Sequence, residues 1–194
     1  MSNRGLLLII SGPAGVGKTT IAHKVEQHFD AEFSVSMTTR GQTGQDTDGV
    51  DYDFVEIQRF EQLRDEGALL EWAEVFGNYY GTPKQPVLDA LAAGRLMIVE
   101  IDVQGAEQVK SHMPDAYAIF VVPPSDRALL ERLRGRKRDD EAAIEKRYAE
   151  ARREIARARL GSVYDEYVVN DVLETVVGET IDLVEKKLLR QSRV

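Results

Sequence analysis

Eight residues near the start of the chain, Gly12-Pro13-Ala14-Gly15-Val16-Gly17-Lys18-Thr19, constrain the fold more than anything that follows them. They match the pattern G-x-x-x-x-G-K-[ST]. Glycines at this spacing let a loop wrap closely around an anion, with its backbone N–H groups pointing inward. A helix opening at Lys18 adds its positive end. In that setting Lys18 reaches β- and γ-phosphates, and Thr19 is a ligand for Mg²⁺. Such a loop must be fed by a strand and left by a helix. Leu6–Ser11 is a short apolar run, as in a strand buried on both faces. Beyond the loop, Ile21, Val25 and Phe29 recur every four positions and form one helix face.

The same alternation continues. Leu96–Ile101 and Tyr117–Val122 read as further buried strands, and Tyr167–Val169 as a short one. Helices are predicted over Gln104–Lys110, Asp139–Leu160 and Thr175–Leu189. Pro123–Pro124 breaks the chain, and Ser125 can cap the helix after it. Alternating apolar strands and helices imply an α/β fold with a parallel sheet covered on both faces. The stretch from Ser34 to Pro83 departs from this rhythm. Gly41–Gly49 reads as an exposed loop, Tyr52–Val55 as a short strand and Gln58–Asp65 as a short helix. Leu69–Phe76 fits either strand or helix. Pro83 and Pro86 open a helix that Gly94 ends. The stretch is read as an inserted α+β lobe.

Charge narrows the function. The net charge is −8, which disfavours a binder of nucleic acid, whose phosphates reward a positive field. One segment runs the other way: Arg127–Arg159 holds 12 Lys and Arg against 7 Asp and Glu. That is either a solvated helix or a local anion site. The chain has no cysteine, so thiolate metal sites and disulfides are excluded. The apolar run at Leu6–Ile10 is too short to span a bilayer or serve as a signal peptide. A protein of the cytoplasm, with no membrane partner, is expected.

Leu96–Asp102 supplies a second part for a phosphate site. Its end, Glu100-Ile101-Asp102, puts carboxylates at the carboxyl edge of the sheet, where open α/β sheets bind ligands. Strand alternation would set Glu100 and Asp102 on one side.

Together with the loop, several stretches in order resemble guanylate kinase. They are Ser34-Val35-Ser36-Met37-Thr38-Thr39-Arg40, Gly49 to Val55, Glu71-Trp72-Ala73-Glu74, Gly77 to Thr82, Ile101-Asp102-Val103-Gln104-Gly105, Pro123-Pro124-Ser125 and Val168-Val169-Asn170-Asp171. The resemblance runs from Leu6 to about Leu189. It implies a three-layer P-loop kinase core over 1–33, 84–125 and 160–194, an inserted NMP-binding lobe over 34–83, and a helical lid over 126–159. It implies transfer of the γ-phosphate of ATP to GMP, in purine nucleotide metabolism, with Mg²⁺ as cofactor. A monomer or small homo-oligomer is expected.

The resemblance also distributes roles. Gly12, Pro13, Ala14, Gly15, Val16, Gly17, Lys18, Thr19 and Thr20 would hold ATP, with Arg132, Arg136 and Asn170. Ser36, Arg40, Tyr52 and Tyr80 would hold the GMP phosphate. Glu71 and Thr82 would read the guanine edge, with Glu100 and Asp102 nearby. A carboxylate accepts from guanine N1–H and N2–H₂, a donor pair adenine lacks. Lys18, Arg40, Arg136 and Arg147 would be catalytic, because guanidinium donors stabilise a transferring phosphoryl group.

The chain departs from the family at one place. After Arg40 the family reads proline, a second arginine, then glycine-glutamate. Here Gln42 replaces the proline, Thr43 the arginine, and Gln45-Asp46 the last pair. Losing one charge-assisted bond predicts weaker GMP binding, by roughly 1.5–3 kcal/mol, or a different phosphorylated acceptor. A third reading, a non-catalytic interaction module of the same fold, is disfavoured by the whole phosphate loop and the lid arginines.

Overall fold

In a computed structural model, residues 5–44, 46–135 and 140–192 are described. Five strands form a parallel sheet: β1 (Leu6–Ser11), β2 (Glu32–Phe33), β7 (Leu96–Glu100), β8 (Tyr117–Val122) and β9 (Glu166–Val169), in the order β2-β7-β1-β8-β9. Every residue of β1 and of β8 is buried. The reason is two cores. Leu7, Ile9, Met97, Val99 and Phe120 pack on one face, against α3 (Lys84–Ala92) and α4 (Val103–His112). Leu6, Leu8, Ile10, Ile98 and Ile119 pack on the other, against α1 (Lys18–Phe29) and α7 (Leu173–Gln191). Odd and even positions thus serve opposite layers, which accounts for the unbroken apolar runs.

A second, four-stranded sheet lies within the interrupted stretch. Its order is β4-β3-β6-β5, with β3 (Met37–Thr38), β4 (Asp53–Phe54), β5 (Leu69–Val75) and β6 (Asn78–Pro83). Helix α2 (Ile57–Asp65) accompanies it. Leu69–Val75 is therefore strand. The sequence gives no signal for β6, whose Gly81 and Pro83 are turn residues by composition. Pro83 is tolerated because it ends the strand and caps α3. The turn between β5 and β6 is tight, with Phe76 at φ 52° and Gly77 at φ 80°.

A helical pair completes the molecule. Helices α5 (Asp126–Gly135) and α6 (Glu141–Leu160) share a small core of Leu129, Leu133, Ile144 and Ala151. The hydroxyl of Ser125 accepts from the Ala128 N–H at 3.1 Å, the cap expected of it. Helix α6 starts at Glu141, with Asp140 accepting from the Ala143 N–H. Among the described residues no helix is long and apolar enough to cross a membrane.

Candidate active site

The glycine loop lies between β1 and α1, at the carboxyl edge of the parallel sheet. Gly12 adopts φ 147°, and a Cβ there would stand 2.4 Å from the Val121 carbonyl oxygen. Gly17 adopts φ 97° and is equally close to the Asn170 amide, at 2.6 Å. No other residue type fits either place. The loop is braced from outside. Asn170 Nδ2 donates to the Val16 carbonyl at 2.7 Å, and Arg132 donates to the carbonyls of Asn170 (2.7 Å) and Val16 (3.4 Å). Leu133 of α5 packs against Gly15. Arg132 and Asn170 thus meet the loop itself, and through it the helical pair is tied to the phosphate cradle.

Lys18 Nζ donates to the carbonyls of Gly12 (2.7 Å) and Pro13 (3.3 Å), so the ammonium is folded over the loop. The Thr19 hydroxyl, exposed at the first turn of α1, donates to Glu100 Oε1 at 3.0 Å. This pair offers hard oxygen donors beside a phosphate cradle, which suits Mg²⁺ shared with a nucleotide. Thr20 follows on α1 and is exposed.

The carboxylates after β7 part company. The strand ends at Glu100 and not at Asp102, so strand alternation does not govern the pair. Glu100 faces Thr19. Asp102 caps α4, its Oδ1 accepting from the Gly105 N–H at 2.8 Å.

The second sheet gathers the other residues. Arg40 stacks over the rings of Tyr52 and Phe54, 5.4 and 5.5 Å from their centroids. Tyr52 and Tyr80 meet edge to face at 5.8 Å. Burial pushes the Tyr52 hydroxyl up to about 12, reinforced by the Glu100 charge, so Tyr52 is a proton donor throughout the neutral range. Ser36 is half-buried, just before β3. A cavity of about 300 Å³ lies between this sheet and α6, lined among others by Arg40, Tyr80, Lys146 and Arg147. Two guanidiniums from separate parts of the chain thus border one space. Arg136 lies outside the described residues.

Glu71 and Thr82 are opposite one another on β5 and β6. Both are buried, at 5% and 1% exposure, and the Thr82 hydroxyl donates to Glu71 Oε1 at 2.7 Å. Burial raises the Glu71 carboxyl to about 7, against the lowering effect of Thr82.

Two residues escape the sequence reading. Asp46, noted there only as a departure, grips Arg40. Glu154 of α6 is half-buried, and its carboxyl is pushed up to about 7 by burial, with Lys18 opposing the shift. An acid on a helix rich in charge carries no sequence signal of that placement.

The chain is similar to known proteins in sequence and in fold. The family model described as Guanylate kinase matches residues 4–187. A guanylate kinase of Anaeromyxobacter dehalogenans is 48% identical over 190 residues, covering 97% of this chain and 83% of that protein. One from Gloeobacter violaceus is 50% identical over 172 residues, covering 88% of this chain and 82% of its own length. The crystal structure of guanylate kinase from Anaplasma phagocytophilum superimposes with a TM-score of 0.79 at 30% identity, covering 95% of this chain and 87% of that one.

Proposed function

The chain belongs to the guanylate kinase family, and from that premise we propose how its residues divide the work. The reaction is ATP-dependent phosphorylation of GMP to GDP. We assign the donor site to the core (1–33, 84–125 and 160–194), the acceptor site to the lobe at 34–83, and closure to the helical pair at 126–159. The reaction is placed in the cytoplasm, within purine nucleotide metabolism.

The loop N–H groups and Lys18 hold the phosphates of ATP, and Arg132 and Asn170 keep the loop in shape. Thr19, with Glu100 behind it, would hold Mg²⁺; that ion, when bound, neutralises charge on the β- and γ-phosphates. Arg40, Ser36, Tyr52 and Tyr80 seat the GMP phosphate with hydrogen bonds to its oxygens. Glu71 and Thr82 take the guanine edge, and Asp102 holds the end of α4 beside them. A phosphate oxygen of GMP attacks the γ-phosphorus while the bond to the β,γ-bridging oxygen breaks, releasing ADP. The acceptor is already anionic, so no side chain need remove a proton. Arg147, across the cavity from Arg40, stabilises the charge spread over the moving group, and Arg136 is assigned the same task. Catalysis is then positioning and electrostatics.

The observation that carries this division is the cavity bordered by Arg40 and Tyr80 on one side and Arg147 on the other. It offers opposed cations where two phosphates would meet. A coupled assay of ADP release tests it. ADP should form with GMP and far more slowly with AMP, CMP or UMP. Equal ADP release with and without GMP would refute the assignment.

A further inference from the structure

Helix α4 belongs to the core, yet it touches the lobe at two points, beside the buried Glu71 and at the backbone of Trp72. The first is Gly105. A Cβ built there would lie 2.5 Å from Glu71 Oε2 and 3.0 Å from its Cδ. These separations are well inside van der Waals contact, so the carboxylate rests where any larger residue would put a methyl group. The second is Gln108, one turn along the same helix face. Its Oε1 accepts from the Trp72 N–H at 3.2 Å, and its Nε2 donates to the Trp72 carbonyl at 2.7 Å. Strand β5 is an edge of its sheet, so these outward backbone groups have no strand partner. The amide of Gln108 acts in place of a missing neighbour strand.

The helix itself is fixed. Asp102 caps it through the Gly105 N–H, and Val103, Ala106 and Val109 are buried in the core. Glu71 is therefore confined from three sides: Thr82 fixes one oxygen, Gly105 bounds the other, and Gln108 holds the backbone of the next residue. A glycine in the first turn of a helix is a poor choice for helix stability. Its presence makes sense as room for the carboxylate.

We propose that Gly105 and Gln108 are positioning residues for base recognition, setting the carboxylate of Glu71 against the guanine edge from the core side. The inference rests on Glu71 being the residue that reads guanine. It also makes base recognition depend on how the lobe is docked on the core, because the two positioning residues and the reading residue lie on different sides of that junction.

The test compares GMP with IMP, which keeps the N1–H but lacks the 2-amino group, as acceptors for the full chain at saturating ATP. Gly105→Ala should raise the KM for GMP by about tenfold, the loss of one well-made charged hydrogen bond. It should leave the KM for ATP unchanged and lower the GMP-to-IMP ratio of kcat/KM by a similar factor. Melting temperature should not fall, since alanine is the better helix former and the atom it meets ends a side chain. Gln108→Ala should move the ratio in the same direction by less, and it carries the test alone if the first variant does not fold. Adding Gly105→Ala to Glu71→Gln should change the ratio no further, because both act on one contact. A ratio that collapses in Glu71→Gln but stays at the wild-type value in both α4 variants overturns the inference alone. A ratio unmoved by Glu71→Gln overturns the guanine-reading role, and the inference with it.

Discussion

Asp46 holds the Arg40 guanidinium with both carboxylate oxygens, at 3.0 and 3.1 Å. The same carboxylate accepts from the Thr43 N–H (2.8 Å) and the Thr43 hydroxyl (2.6 Å). Arg40, helped by Thr43, keeps the Asp46 carboxyl well below the usual range, so the pair persists across the working pH range. Thr43 stands where the sequence resemblance leads one to expect a second arginine. Here it fastens the anion that aims the first.

A second cation at that position should strengthen the acceptor site. In Thr43→Arg, Asp46 would be shared between two guanidiniums, leaving a net positive charge for the GMP phosphate. A gain of one charge-assisted bond, roughly 1.5–3 kcal/mol, should lower the KM for GMP by about tenfold or more. The KM for ATP should not change. Added salt should raise the GMP value more steeply in the variant than in the parent. An unchanged or higher KM for GMP would show that the loop has no place for the second cation.

Glu71 predicts a pH dependence in two readouts. Its folded value of about 7 lies above its ordinary 4.5. Between those values the folded chain keeps a proton the unfolded chain has lost. The contribution of Glu71 to stability is therefore greatest below 4.5, declines as pH rises to about 7, and is flat above. Glu71→Gln should melt higher than the parent at pH 8 and by a smaller margin at pH 5. Guanine needs the carboxylate, so the KM for GMP should fall as pH rises through 7 in the parent. The titration of GMP itself is common to both proteins, and the difference in profile isolates Glu71. Superimposable profiles would dissociate Glu71 from the base.

Much of this was legible before the structure. The loop at Gly12–Thr19 and the strands at Leu6–Ser11 and Tyr117–Val122 announce themselves, because local spacing and full burial both leave a mark on sequence. The short strands of the lobe do so unevenly. Asp53–Phe54 lies inside the strand read at Tyr52–Val55, whereas Met37–Thr38 is two residues long and pairs with β6 some 40 residues away. The Glu71–Gly105 approach is invisible for the same reason: glycine in a helix says that space is needed, but not by which atom. The Arg40–Asp46 fork needed a loop conformation that composition does not specify.

Beneath the glycine loop, the hydroxyl of Tyr164 donates to Ser11 Oγ at 2.9 Å, and both side chains are buried. Tyr164→Phe strips Ser11 of its donor and should cost about 1–2 kcal/mol, or roughly 3–6 °C of Tm for a chain of this size. Pairing it with Ser11→Ala removes both polar groups and should recover part of the loss. Denaturant titration of the two single variants and the double decides it. A single variant as stable as the parent would mean that water replaces the lost partner.

Lys18 separates fold from chemistry. Among the described residues its ammonium bonds to loop carbonyls, those of Gly12 and Pro13, which water can solvate when the side chain is cut back. The loop is held in shape by other contacts: Asn170 and Arg132 at Val16, and the close approach of Gly12 to Val121. Lys18→Ala should therefore stay within about 0.5 kcal/mol of the parent in stability. Turnover should fall by roughly 10²- to 10³-fold, as when one preorganised donor is lost from a charged transition state. The loss should appear in kcat at saturating ATP and GMP, and an added alkylamine should restore a fraction of it by supplying a cation. A kcat within tenfold of the parent would remove Lys18 from the chemical step and leave it as a tether for the loop.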